Sequence, residues 1–116
     1  MNYCQDGLKV YFASKTPQFT SIYGHYELQA NDVNGRSYFK MGSYGFWWDN
    51  KNSWYIGLDS MKGKSVGHAK YHKDVFCPHQ LSELNWVIHD NTNWYDAEND
   101  LVITCKCIFI QKQNSV

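Results

Sequence analysis

Apolar and polar residues alternate at every second position in several short stretches of the chain, whereas no segment keeps a 3.6-residue apolar period. Alternation of this kind predicts β-strands that bury one face. Gly, Asn, Asp and Ser separate the stretches, as is typical of turns. The predicted strands are 8–12, 22–30, 36–42, 44–48, 54–58, 66–72, 85–89 and 101–110, and the stretch 78–84 is the one suited to a helical turn.

About eight short strands at close spacing favour an all-β fold, either an antiparallel β-sandwich or a small barrel. The length of 116 residues is that of one domain, so we treat 1–116 as a single β-rich binding domain. No linker and no low-complexity tract divides it.

The first predicted hairpin turns at Asn34-Gly35, the strongest two-residue signal for a type I′ turn, because both central positions of that turn need positive φ. We expect Val33 to lie opposite Arg36. The register that follows pairs apolar residues with apolar residues: Ala30 with Phe39, and Leu28 with Met41. A slip by one residue would destroy this agreement.

The second predicted hairpin turns through the polar loop 49–53. A five-residue loop sets apolar residues of the two strands opposite each other: Trp48 and Trp54, Phe46 and Ile56, Tyr44 and Leu58. We expect a core that contains Trp48, Trp54, Phe46 and Ile56. Truncation of a ring in such a core typically costs about 3–5 kcal/mol.

The opposite face of this hairpin carries Trp47 beside Tyr55, with Gly45 and Gly57 as neighbours. Two interpretations are open. In one, the glycines leave the two rings uncovered as a platform on which a sugar stacks. In the other, this face is also buried, and the glycines permit close packing.

Short polar side chains accompany the candidate platform. Asp49, Asn50 and Asn52 in the adjacent loop are candidates for hydrogen bonds to a ligand, together with Trp47 and Tyr55. A second candidate lies in the Asn- and Asp-rich stretch 90–100, predicted to be a loop. Its candidate ligand-binding residues are Asn93 and Trp94.

The chain contains an even number of cysteines: Cys4, Cys77, Cys105 and Cys107. Cys105 and Cys107 lie on one face of a predicted strand, so each is expected to pair with a distant cysteine. The pairs are Cys77–Cys105 with Cys4–Cys107, or the crossed alternative. Two disulfides favour an extracellular location, although four buried thiols are the other interpretation.

Charge and hydropathy disfavour two classes of partner, nucleic acids and membranes. Eleven basic and eleven acidic residues give a net charge of zero, which disfavours nucleic-acid binding. No apolar run is long enough to insert into a membrane.

His68 and His72 would lie about 13 Å apart along a strand, too far apart to share a metal ion. Whether the stretch 90–100 binds calcium is left open.

We find no signature of catalysis and expect neither an enzyme nor a cofactor, since no nucleophile elbow, phosphate-binding loop or zinc-ligand spacing is present. The sequence therefore predicts a carbohydrate-binding, lectin-like extracellular module that uses aromatic stacking and Asn/Asp hydrogen bonds. The alternative is an extracellular protein–protein or matrix interaction module. The expected partner is accordingly a glycan or an extracellular protein, and the oligomeric state is left open.

Overall fold

The structure is a computed structural model that describes residues 7–12, 22, 24–81, 86–89, 93–96 and 101–105. The described residues form strands joined by turns and by the 3-10 helices Asp59–Met61 and Pro78–Gln80. The strands are β1 (Gly7–Phe12), β2 (Gly24–Leu28), β3 (Phe39–Met41), β4 (Tyr44–Trp48), β5 (Trp54–Leu58), β6 (Ala69–Tyr71), β7 (Trp86–His89), β8 (Trp94–Asp96) and β9 (Leu101–Cys105).

These strands form one antiparallel sheet in the order β8-β7-β6-β5-β4-β3-β2-β1-β9. The first eight strands follow one another as a meander, and β9 returns to pair with β1. The all-β antiparallel class is thus confirmed. Within the described ranges there is neither a second sheet nor a pairing of β8 with β9, so these residues show neither the predicted sandwich nor a closed barrel.

Aromatic rings fill the core on one face of the sheet, with Phe46 at the centre. Its ring centroid lies 5.9 Å from that of Trp54 on β5, 6.0 Å from that of Trp86 on β7 and 6.2 Å from that of Tyr26 on β2. Strands β4 and β7 are three spacings apart, about 14 Å in a flat sheet. The sheet therefore curls around this core.

In the first hairpin the turn at Asn34-Gly35 is confirmed, whereas the predicted strand register is wrong. Asn34 and Gly35 both have positive φ, at 55° and 79°, and Val33 bridges to Arg36. Beyond the bridge, however, Leu28 pairs with Phe39, because the first arm carries two extra residues. A shift of two preserves which face each strand buries, so face patterning alone did not exclude it.

One residue is misplaced by this shift: Ala30, expected to pair with Phe39, is exposed. Leu28 and Met41 still pack against the core, although they do not pair with each other. The two extra residues widen the loop 29–32 between β2 and the turn.

The second hairpin forms in the predicted register. The strand pairs are Tyr44–Leu58, Gly45–Gly57, Phe46–Ile56, Trp47–Tyr55 and Trp48–Trp54. The predicted core residues Trp48, Trp54, Phe46 and Ile56 are all buried. At the end of the hairpin the apolar face reaches solvent, where Leu58 is exposed.

One further element differs from prediction, and another agrees with it. The stretch expected to be a loop contains β8, which pairs with β7 and sets Trp94 opposite His89. The possible helical turn near residue 80 is a single 3-10 turn that follows Cys77.

Of the cysteines, Cys77 is buried. Cys4 and Cys107 lie outside the described residues, as does the side chain of Cys105 at the end of β9. Strand β9 lies against the 3-10 helix Pro78–Gln80. The disulfides stay a prediction.

Candidate ligand-binding surface

Trp47 and Tyr55 do not form an exposed platform. Both lie on the face opposite the Phe46 core, which we call the outer face, and both are buried, with Trp47 having 0% and Tyr55 5% of its surface exposed. Their rings stack on each other, with centroids 6.3 Å apart and planes 12° apart. The second interpretation of this face, burial, is the one that the structure shows.

The segment between β5 and β6 covers these rings. Residues 62–67, which we call the covering segment, cross the outer face, and the indole Nε1–H of Trp47 donates a 2.8 Å hydrogen bond to the carbonyl oxygen of Lys64. The turn at Asn34 holds this segment, since its side-chain amide donates to the carbonyl oxygens of Gly63 at 3.1 Å and Trp48 at 2.8 Å. The indole N–H of the buried Trp47 is thereby paired.

The glycines beside the rings make room for neighbouring chain rather than for a ligand. A Cβ at Gly57 would lie 2.8 Å from the Cα of Gly67 and 3.2 Å from the Trp47 ring. A Cβ at Gly45 would collide with the side chain of Tyr38. Close approach of two backbones is a common reason for glycine within a strand.

Asp49 has a structural task in the hairpin loop. Its Oδ1 accepts the backbone N–H groups of Lys51, Asn52 and Ser53 at 2.8, 3.0 and 3.1 Å, and its Oδ2 accepts the Ser65 hydroxyl at 2.9 Å. Burial alone would raise the pKa of Asp49, but these hydrogen bonds outweigh it and lower that pKa. The carboxylate therefore folds the loop and ties it to the covering segment.

Asn50 and Asn52 lie at the tip of this loop, and both are exposed. Asn50 occupies the left-handed region with φ of 67°, which asparagine tolerates better than most residues. The Asn52 side-chain oxygen accepts the Ser53 hydroxyl at 2.8 Å. Local turn geometry thus accounts for both residue types.

Trp94 is the exposed tryptophan. The other four tryptophans are buried, whereas 36% of the surface of Trp94 is exposed. Its ring packs edge-to-face against His89, with centroids 4.9 Å apart, and against Tyr55 at 6.5 Å. The Lys70 ammonium lies 4.3 Å from the centroid of the same ring.

Strand register brings these groups together. Tyr55 pairs with Lys70 across β5 and β6, Lys70 pairs with Val87 across β6 and β7, and His89 pairs with Trp94 across β7 and β8. Side chains paired in this way point to one face of a sheet. An indole, an imidazole and an ammonium group therefore share the outer face near the β8 edge, and we call Trp94, His89 and Lys70 the Trp94 surface.

A shallow depression of about 180 Å³ adjoins His89. It is lined by His68 and by three exposed apolar side chains, Leu58, Met61 and Val66. Burial, together with the nearby His89, lowers the pKa of His68, which favours the uncharged imidazole. The depression is consequently apolar with two imidazoles at its border.

Sequence reasoning identified Trp94 and its exposed neighbour Asn93 but missed Lys70 and His89. Lys70 and His89 each follow a core residue, Ala69 and Ile88, so the alternation of the strands predicts that both lie on the outer face. Which residues of other strands lie beside them does not follow from the local sequence.

Among the described residues, no three His, Cys, Asp or Glu side chains are placed to hold a metal ion. No helix in the same part of the chain is long and apolar enough to cross a membrane. Comparison of the chain with protein-family models, with curated protein sequences and with solved structures found no match.

Proposed function

We propose that this protein is a carbohydrate-binding module and that the Trp94 surface is its ligand-contact surface. One observation carries the proposal: four tryptophans are buried, and Trp94 keeps more than a third of its surface in solvent. Tryptophan is a large and largely apolar side chain, so its exposure leaves apolar area available to a partner.

The packing around Trp94 supports a preformed contact. The ring already packs edge-on against His89 and Tyr55, which reduces the ordering that a ligand has to impose on binding. A ring held in this way suits the C–H face of a sugar, which packs against aromatic side chains.

Polar groups beside the ring match a hydroxyl-rich ligand. Lys70 supplies an ammonium donor, His89 an imidazole, and Asn93 an exposed amide adjacent to the ring in sequence. A few polar groups around an apolar contact are the usual means of orienting a small ligand.

A protein-binding module is the second candidate, and the apolar depression favours it. Leu58, Met61 and Val66 expose 43, 39 and 41% of their surfaces beside His68 and His89. Contiguous exposed apolar side chains are typical of protein contact sites, and Trp and Met are enriched in them. The expected partner is then an extracellular protein rather than a glycan.

A glycan array probed with the full chain tests the first candidate. We expect dose-dependent hits that Trp94→Ala abolishes and that Phe76→Ala, which removes another exposed ring, leaves unchanged.

A pull-down with Met61→Ser and Val66→Ser variants examines the second candidate. Capture of one protein partner that these variants abolish, with no glycan hit, would favour the interaction module.

We further propose an extracellular location with two disulfides, Cys77–Cys105 and Cys4–Cys107. The contact between β9, which ends at Cys105, and the 3-10 helix that follows Cys77 supports this pairing, because it brings the two segments of the Cys77–Cys105 pair together. Such bonds persist in oxidising compartments.

A further inference from the structure

A polar cleft of about 270 Å³ lies between the widened loop 29–32 and the 3-10 helix Asp59–Met61. It exists because the first hairpin has two extra residues in one arm, which displaces that arm from regular pairing with β3. Irregular pairing of this kind is frequent next to functional sites, where it redirects side chains. None of the Trp94 surface residues lines the cleft.

The Asp59 carboxylate is fixed at the border of the cleft. The hydroxyl of Tyr38, itself buried, donates a hydrogen bond to Asp59 Oδ1. The backbone N–H of Asp59 donates to the carbonyl oxygen of Ser43 at 2.7 Å. The Tyr38 hydrogen bond, followed by the charges of Lys62 and Lys40, lowers the pKa of Asp59, so the group is an ionised acceptor at neutral pH.

Two lysines flank this carboxylate without closing on it. The Nζ atoms of Lys40 and Lys62 lie 3.7 and 3.8 Å from Asp59 oxygens, longer than a direct hydrogen bond, and their side chains are 40 and 48% exposed. Exposed pairs of this kind contribute about 0–1 kcal/mol to stability, so stability alone is a weak reason for the arrangement.

Charge in the cleft is balanced. Its lining contains two lysines, Lys40 and Lys62, and two carboxylates, Asp59 and the exposed Asp32. The amide of Asn31 adds both a donor and an acceptor. A balanced lining has no excess charge to attract an anion or a cation. Adjacent donors and acceptors instead match a hydroxyl group, which donates one hydrogen bond and accepts others.

We propose that this cleft binds a single uncharged sugar residue through its hydroxyl groups. Its volume of about 270 Å³ lies near the lower limit of small-ligand sites, about 300 Å³, which suits a ligand of one sugar ring. The lysines donate to ring hydroxyls, and the aspartates accept from them. The inference rests on the proposed function for the class of ligand alone, since the site is separate from Trp94.

A ¹H–¹⁵N NMR titration of the full chain with D-glucose, D-galactose, D-mannose and N-acetylglucosamine tests this site. We expect saturable shifts of the backbone amides of residues 29–33 and 59–62 with at least one sugar, at millimolar concentrations because so small a ligand makes few contacts. Lys62→Met, which keeps the aliphatic stem, and Asp32→Ala should each weaken binding about tenfold. Lys51→Met is the matched control and should bind normally, because Lys51 is exposed on another loop.

The outcomes separate this site from the Trp94 surface. Cleft shifts that persist in Trp94→Ala support the inference even if the glycan array shows no dependence on Trp94. The inference is wrong if none of the four sugars shifts these amides, or if Lys62→Met binds as tightly as Lys51→Met. Saturable shifts with sodium sulfate but with no sugar would also overturn it, because they would identify an anion site.

Discussion

The indole Nε1–H of Trp47 donates a 2.8 Å hydrogen bond to the carbonyl oxygen of Lys64, 17 residues further along the chain. This contact joins the hairpin of β4 and β5 to the covering segment. It explains why the outer face has its own buried cluster of Trp47, Tyr55 and Tyr38, with Val33 packed against it.

Trp47→Ala should therefore unfold or strongly destabilise the domain. We expect a loss of about 3–5 kcal/mol in the free energy of unfolding, from lost burial and the cavity left behind. Urea denaturation followed by circular dichroism measures it. Lys51→Ala, at an exposed position, should stay within about 0.5 kcal/mol. An unchanged midpoint for Trp47→Ala would show that the ring is not part of the core.

Arg36 should contribute more to the free energy of unfolding than Asp74, the residue with which it forms an ion pair. Its Nη1 lies 2.8 Å from Asp74 Oδ1 and donates to the Val75 carbonyl oxygen at 2.8 Å, while its guanidinium lies 4.0 Å from the centroid of the Trp48 ring. The Asp74 side chain is 71% exposed, so the ion pair itself contributes little.

We expect Arg36→Ala to cost about 1–2 kcal/mol through lost stacking and the loss of one of the two hydrogen bonds to the Val75 carbonyl oxygen, which also accepts the Trp54 indole N–H at 2.9 Å. Asp74→Ala should cost less than about 0.5 kcal/mol. Thermal denaturation of the two variants side by side measures the difference. Equal losses would mean that the ion pair, not the stacking on Trp48, is the stabilising contact.

Asp49 should make stability depend on acidity. Its pKa is lower in the folded chain than the value of about 3.9 expected when unfolded. The unfolded state therefore binds the proton more readily, so the stabilisation is complete above about pH 4 and is lost as the pH falls through the lowered pKa.

Asp49→Asn should reduce the loss of stability between about pH 4 and pH 2, which we call the acid limb. It should also lower stability at neutral pH by about 2 kcal/mol or more, because Asn lacks the charge that strengthens the three backbone hydrogen bonds. Melting temperatures between pH 2 and pH 7 measure both effects. Asp59, whose pKa is also lowered, should keep part of the acid dependence in the variant. An acid limb that is identical in wild type and Asp49→Asn would contradict the structural task assigned to this carboxylate.

The four cysteines should form two intramolecular disulfides. Alkylation followed by mass measurement should label four thiols after reduction and none before it. Loss of one bond by a Cys77→Ser change should cost about 2–5 kcal/mol. Labelling of all four thiols without reductant would remove the main support for an extracellular location.

The second hairpin was predictable because one register places the apolar residues of both strands, from Tyr44 to Leu58, opposite each other on the same face. The structure confirms that register. The first hairpin was not fully predictable, since pairing Leu28 with Met41 or with Phe39 buries the same face. Local sequence distinguishes faces better than it distinguishes shifts of two residues.

Long-range contacts account for what could not be predicted about the site. Burial of Trp47 depends on the covering segment, which lies on the far side of β5 in sequence. Strand β8 lies within the Asn- and Asp-rich stretch 90–100, which predicts a loop, and it forms by pairing with β7. Tertiary pairing of this kind overrides local propensity.

Acrylamide quenching of tryptophan fluorescence reports whether Trp94 contacts the ligand, because Trp94 is the exposed tryptophan. We predict that quenching of the full chain falls steeply in Trp94→Phe, and that a glycan identified on the array protects the wild-type protein from quenching without affecting Trp94→Phe. Quenching that is equal in both proteins, or a bound glycan that leaves wild-type quenching unchanged, would contradict the assignment of Trp94 as the ring that contacts ligand.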